Sequence, residues 1–225
     1  VVSPGALGNI TLTALGALPN GIVAIGQGLT AGGGITIQST NTFTLAFGLA
    51  SIGGNVSITS NAGDVNVSGA AVTAPAGSIT LAAPVGTVNL GTKAYLAGTG
   101  FSASSLNKLT VSAPITTTAG GITLQSSAGD VALTTVPLLG VTPDLTALGG
   151  TIVLFDNGEI NNGTPGGAVT ASWVQANTLV ATAQGGNGVG PAPVFGFTNK
   201  LNNVDRISID QSTAGGVAIG AGITY

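Results

Sequence analysis

The chain repeats a short pattern of polar and aliphatic positions. Each copy has a glycine, a small or polar residue, an aliphatic residue, a polar residue and a second aliphatic residue. Copies occupy residues 8–12, 33–37, 54–58, 63–67, 77–81, 86–90, 120–124, 129–133 and 150–154. The alternation predicts short β-strands whose aliphatic side chains face one way and whose polar side chain faces the other. The leading glycine predicts a sharp corner at which a positive φ carries no steric cost.

The spacing of the copies predicts how these strands stack. One ladder of first aliphatic residues advances in similar steps, which lengthen towards its end, through Val65, Val88, Leu109, Val131, Ile152, Leu179 and Ile207. A second ladder runs through Ile35, Val56, Ile79 and, two turns later, Ile122. Where one turn holds both ladders, they lie nine residues apart. A period of roughly 22 residues with two or three short strands per turn predicts a solenoid.

The predicted fold is all-β: a parallel β-helix solenoid of about nine or ten coils, each of roughly 22 residues. Leucine-rich repeats share the period, but their Leu-rich consensus is missing, and a β-sandwich would not hold so regular a register. Residues 1–225 are predicted to form a single domain, with regular coils over 1–154 and longer inserted loops over 155–225. The turn-rich segments 161–167 and 184–193 are the reason for this division.

The predicted register places charged residues at equivalent corners. The position before each first-ladder residue holds Asp64, Thr87, Lys108 and Asp130 in successive coils. We assign Asp64, Lys108 and Asp130 a structural role in the turns and in this ladder. Lys108 and Asp130 are expected to form an exposed ion pair, worth about 0–1 kcal/mol.

Composition excludes several classes of chemistry. The chain has no Cys and no His, which removes disulfides, thiolate nucleophiles, zinc knuckles and the commonest general base. Its four basic residues are too few to neutralise a phosphate backbone, so no nucleic-acid partner is expected. No apolar run approaches the roughly 18 residues of a membrane-spanning helix. We predict no cofactor and no metal site.

The carboxylates provide the main alternative interpretation. Asp156 with Glu159, and Asp205 with Asp210, are the close pairs in the sequence. A carbohydrate-active β-helix enzyme, either a polysaccharide lyase or a hydrolase, would gather two or three carboxylates on one face. Dispersed charges favour turn capping and solubility instead, and we expect no catalytic residues.

Two other groups of residues are candidates for contact with a partner. Trp173, Phe195 and Phe197 lie in the loop-bearing region, where they would contact a partner or pack a loop onto the solenoid. Outward threonines such as Thr36, Thr80 and Thr110 suggest an ice-binding face. The columns read from the sequence are nevertheless interrupted by Ser57, Asn66, Asn89 and Ala132.

Two segments carry a family resemblance. Residues 54–67 (GNVSITSNAGDVNV) and their echo at 121–133 (GITLQSSAGDVAL) resemble the filamentous-haemagglutinin-like exoproteins and autotransporter passengers of Gram-negative bacteria. The resemblance covers roughly residues 8–154. It implies a right-handed β-helix that is exported, folds outside the cell and acts as an adhesin, fibre stalk or matrix component.

The expected function is therefore that of a non-enzymatic extracellular structural protein, a rod in a bacterial cell-surface fibre or adhesin. The chain would be either part of a longer adhesin or a filament subunit that polymerises end to end through its end coils. The expected partners are other copies of the chain or the rest of a longer parent chain, and a surface glycan or protein receptor.

Overall fold

A computed structural model describes residues 2–3, 8–16, 24–25, 27–69, 71–134, 144–156, 160–161, 174–183, 194–195, 206–211 and 218–219. Every regular element in these residues is a β-strand. The strands are β1 (Val2–Ser3), β2 (Ile10–Ala14), β3 (Ala24–Ile25), β4 (Leu29–Ala31), β5 (Ile35–Ser39), β6 (Phe43–Leu45), β7 (Leu49–Ser51), β8 (Val56–Ser60), β9 (Val65–Val67), β10 (Val72–Ala74), β11 (Ser78–Ala83), β12 (Val88–Leu90), β13 (Tyr95–Ala97), β14 (Gly100–Ser105), β15 (Leu109–Val111), β16 (Ile115–Thr117), β17 (Ile122–Ser126), β18 (Val131–Leu133), β19 (Leu145–Asp156), β20 (Ile160–Asn161), β21 (Val174–Ala183), β22 (Val194–Phe195), β23 (Arg206–Gln211) and β24 (Ala218–Ile219).

The strands stack into a parallel β-solenoid. About five coils, spaced roughly 22 residues apart, are described in full. Each coil holds three strands: the first full coil holds β4–β6 and the last holds β16–β18. The first face consists of β1, β4, β7, β10, β13 and β16, and the third face of β3, β6, β9, β12, β15, β18 and β20. The second face consists of β2, β5, β8, β11, β14 and β17. All pairings between coils are parallel, which confirms the predicted fold class.

The strand β19 joins two of these faces. Its first residues pair with β16 of the first face, and Ile152 pairs with Ile122 of the second face. The strand β21 pairs along both parts of β19, and β23 extends the stack beyond β21. The structure describes about five of the nine or ten predicted coils in full, and these later strands show only part of each further turn. The handedness and the inserted loops of residues 155–225 stay predictions.

The core forms because the inward position of every strand carries an aliphatic side chain. On the second face, Ile35, Val56, Ile79 and Ile122 are stacked in register and fully buried. Burying one such side chain stabilises the fold by about 1.5–3 kcal/mol. Stacked coils therefore share continuous columns of buried hydrophobic side chains.

Aromatic residues fill the same columns in the fourth full coil. Tyr95 on the first face and Phe101 on the second face meet edge to face, with their ring centroids 5.6 Å apart. The Tyr95 hydroxyl donates a hydrogen bond to the carbonyl oxygen of Val67 at 3.4 Å. Burial raises the pKa of Tyr95 well above its usual value, so its phenol is a neutral part of the core.

Buried serines replace aliphatic residues where the second face ends. The column holds Ser39, Ser60, Ala83, Ser105 and Ser126. The Ser60 hydroxyl donates to the carbonyl oxygen of Asn41 at 2.8 Å, and the Ser126 hydroxyl donates to that of Asn107 at 2.7 Å. Each bond ties a corner to the corner of the preceding coil, where the chain leaves the sheet and loses its ladder partners.

The assignment of Ile152, Leu179 and Ile207 to the first ladder was wrong. Val131 is followed on the third face by Ile160, whereas Ile152 continues the second face above Ile122. Leu179 and Ile207 extend that second-face column. The connection between β18 and β19 is longer than the corresponding connections in earlier coils. As a result, Ile152 of the second face lies about one period after Val131, where a fixed period would place a third-face residue. Phe101 fills the turn missing between Ile79 and Ile122.

The corner glycines serve a different purpose from the one predicted. Gly77, Gly86 and Gly129 do not adopt the left-handed backbone region that favours glycine. A Cβ atom at these positions would instead overlap the backbone of Gly54, Gly63 and Asn107, respectively, in the preceding coil. Glycine is needed because the corners of successive coils stack backbone against backbone.

Candidate interaction face

The outward side of the second face carries a column of hydroxyl groups. Parallel pairing places six residues one above another, and we call them the hydroxyl column: Thr11, Thr36, Ser57, Thr80, Ser102 and Thr123. Neighbouring strands in a sheet lie about 4.8 Å apart, so the hydroxyl groups repeat at about that spacing along the stack. In the next strand, the column passes to Val153.

A second outward column runs beside it. Two residues further along each strand, the positions are Thr13, Gln38, Thr59, Ala82, Ser104 and Gln125. Residues two apart on a strand are separated by about 6.6 Å. Apart from Ala82, the two columns present uncharged hydroxyl and amide side chains over six strands.

The prediction that four residues interrupt the outward threonine columns was wrong for the hydroxyl column. Asn66, Asn89 and Ala132 lie on the third face, in register with Thr44 and Thr110. Ser57 belongs to the hydroxyl column but itself contributes a hydroxyl. The signal that could have identified Ser102 as a member was its position one full repeat after Thr80, although its strand begins with Gly-Phe and not with Gly-x-aliphatic.

A shallow groove of about 410 Å³ opens on the hydroxyl column near its start. It is lined by Asn9, Thr11, Gly34, Ile35, Thr36, Gly54, Asn55 and Ser57. Both asparagines are held by the following coil, because their Oδ1 atoms accept hydrogen bonds from the backbone N–H of Gly34 (2.7 Å) and Ser78 (2.9 Å). Their side chains are exposed, so the Nδ2 groups can donate to a ligand.

A second groove of about 310 Å³ lies at the far edge of the same face. Its lining includes Pro84, Ser104, Leu106 and Gln125. Ser105 also lines it, and its buried hydroxyl has no hydrogen-bond partner. Like the first groove, it contains no charged side chain.

The charged side chains that the structure describes lie between the strands, at corners. Asp64 Oδ1 accepts a hydrogen bond from the backbone N–H of Thr87 in the next coil at 2.8 Å. The register sets Leu109 beside Val131, so Lys108 and Asp130 occupy equivalent positions in adjacent coils. Their ion pair stays a prediction. On the third face, Asn89 Nδ2 donates to Asn66 Oδ1 at 2.6 Å, which adds a side-chain ladder between two coils.

Most of the other candidate residues fall outside the described part. Trp173, Phe197, Glu159 and Asp205 lie in segments that the structure does not describe. For Phe195, Asp156 and Asp210 the backbone alone is described. Pairing places Phe195 beside Ile219, Asp156 beside Ser126 and Asp210 beside Thr182.

The described residues contain no group of three or more His, Cys, Asp or Glu residues that could hold a metal ion. Among these same residues there is no helix of the length and apolarity needed to cross a membrane.

Comparison with known proteins adds no relative. The chain gives no significant match to a family model, a curated protein or a solved structure. What is shown is therefore the architecture itself, a parallel β-solenoid with an uncharged hydroxyl-bearing face.

Proposed function

We propose that this chain is a non-enzymatic extracellular structural protein, a β-solenoid rod that forms part of a surface fibre or adhesin of a Gram-negative bacterium. The observation that carries the proposal is the unbroken parallel register of the full coils on all three faces. Each coil is bonded to the next through backbone ladders, and stiffness along the stack follows from this repetition.

The distribution of charge supports the same proposal. The described charged side chains, Asp64, Lys93, Lys108, Asp130 and Asp144, all lie outside the strands. The strands of the five full coils thus contain no charged residue, and their outward neutral polar groups suit contact with an extended surface. The resemblance of residues 54–67 and 121–133 to filamentous-haemagglutinin-like exoproteins adds the surface location and the export route.

Surface labelling tests the location. Antibodies raised against the chain should label intact cells of the source organism, and permeabilisation should not increase the signal. Labelling that needs permeabilisation would contradict an extracellular role. Electron microscopy of the purified chain then distinguishes the two forms of the proposal: continuous fibres would indicate a subunit that polymerises through its end coils, and discrete rods would indicate a segment of a longer adhesin.

The enzymatic alternative has its own test. We expect no release of reducing ends or unsaturated products from a panel of polysaccharides incubated with the chain. If cleavage does occur, and alanine substitution at Asp156, Glu159, Asp205 or Asp210 abolishes it, the non-enzymatic proposal is wrong.

A further inference from the structure

The groove at the start of the hydroxyl column is kept open by glycine. A Cβ atom at Gly34 would lie 3.2 Å from the Asn55 carbonyl oxygen and 3.7 Å from Asn9 Oδ1. Because Gly34 has no side chain, only backbone lies between the exposed side chains of Asn9 and Asn55. The Thr36 hydroxyl, on an exposed side chain, lies beside this opening.

The groove is part of a longer uncharged strip. The corners between the first and second faces, at residues 32–34, 52–55, 75–77, 98–99 and 118–121, contain no charged residue, and neither do the two outward columns. A charged ligand would find no counter-ion along this strip. A neutral ligand with many hydroxyl groups would find both donors and acceptors at each coil.

We infer that this strip binds an extended, uncharged polysaccharide along the stack, with its strongest contacts in the groove formed by Asn9, Thr36 and Asn55. The inference rests on the proposed function and names the partner class of the adhesive rod. The repeat of the hydroxyl column suits a polymer more than a single sugar, because one chain would meet the same groups in successive coils.

Two other occupants fit the surface less well. An ice lattice requires short side chains in both columns, and the long side chains of Gln38 and Gln125 interrupt the second one. A second copy of this chain, packed face to face, would require an apolar centre of the kind that stable interfaces contain. The hydroxyl column provides none between Thr11 and Thr123.

The test is co-sedimentation of the full chain with insoluble cellulose, mannan and curdlan, with calcium alginate gel as the charged comparison. The test variant is Thr36→Glu and its matched control is Thr44→Glu. Both threonines are exposed, and they lie on the second and third faces of the same coil. Unchanged circular dichroism spectra and melting temperatures would show that both variants fold.

The expected result is binding to at least one of the three uncharged polysaccharides, a loss of at least tenfold in affinity with Thr36→Glu, and no change with Thr44→Glu. Thr36→Ser, which keeps the hydroxyl, should remain within about twofold of the unmodified chain. The inference is overturned if none of the uncharged polysaccharides is bound, if both glutamate variants lose binding equally, or if Thr36→Glu dissociates a dimer. Such a result leaves the surface-labelling test of the proposed function unaffected.

Discussion

The regular coils and the turn that contains β19 bury the same second-face column, but the chain passes from the first face to the second in different ways. Between β16 and β17 the chain bends at residues 118–121, whereas β19 passes from the first face to the second as one twelve-residue strand. The step from Ile122 to Ile152 is longer than the usual coil, yet both side chains are fully buried in the same column. Strand register is thus retained while the length of a connection varies, because strand pairing and core packing act within the strands.

The largest expected effect concerns the stacked corners. Gly129→Ala should destabilise the fold by about 3 kcal/mol or more, because the added Cβ would overlap the Asn107 backbone in the preceding coil. Gly100→Ala is the control, since its Cβ would make an ordinary contact 3.6 Å from the Gly121 carbonyl oxygen. Urea unfolding measures both variants. Equal midpoints would contradict the close backbone stacking.

The second prediction tests the column that links the two regions. Ile122→Ala and Ile152→Ala should each cost about 2–5 kcal/mol, as is usual for large-to-small changes in a core. Because the two residues stack in adjacent coils, the double variant should depart from additivity by at least about 0.5 kcal/mol. If the coupling between Val131 and Ile152 were larger than that between Ile122 and Ile152, it would contradict this register and support the ladder predicted from the sequence.

The third prediction concerns alkaline pH. Unfolding exposes Tyr95, whose pKa then returns to about 10 from the higher value set by burial. The neutral phenol therefore contributes fully to stability below pH 10, and this contribution falls as pH rises above 10, by about 1.4 kcal/mol per pH unit. Tyr95→Phe should remove this part of the pH dependence in unfolding measured from pH 9 to 11. Parallel curves for the two proteins would contradict it.

The smallest expected effect concerns the corner charges. A double-mutant cycle on Lys108→Ala and Asp130→Ala should give a coupling of about 0–1 kcal/mol that shrinks in high salt, as exposed ion pairs do. A coupling well above that range, or one unaffected by salt, would indicate a buried pair and a different corner geometry.

The outward surfaces show which structural feature the alternation of residues in the sequence does not determine. Alternation alone identifies Thr36 and Thr80 as outward residues, and the structure places them in one column. The same alternation groups Thr110 with them, but Thr110 lies on the third face. Alternation distinguishes the inside of a strand from its outside, and it carries no information about which of three faces the strand belongs to.

The sequence by itself determined the parallel solenoid, its period and its core-facing residues over the regular coils. These follow from alternation within strands and from spacing between them, which are local properties of the chain. The tertiary structure decided the face to which Ile152 belongs, the continuity of the hydroxyl column and the reason for the corner glycines. Each of these depends on how one coil lies on the next, since residues about 22 positions apart become neighbours only when the coils stack.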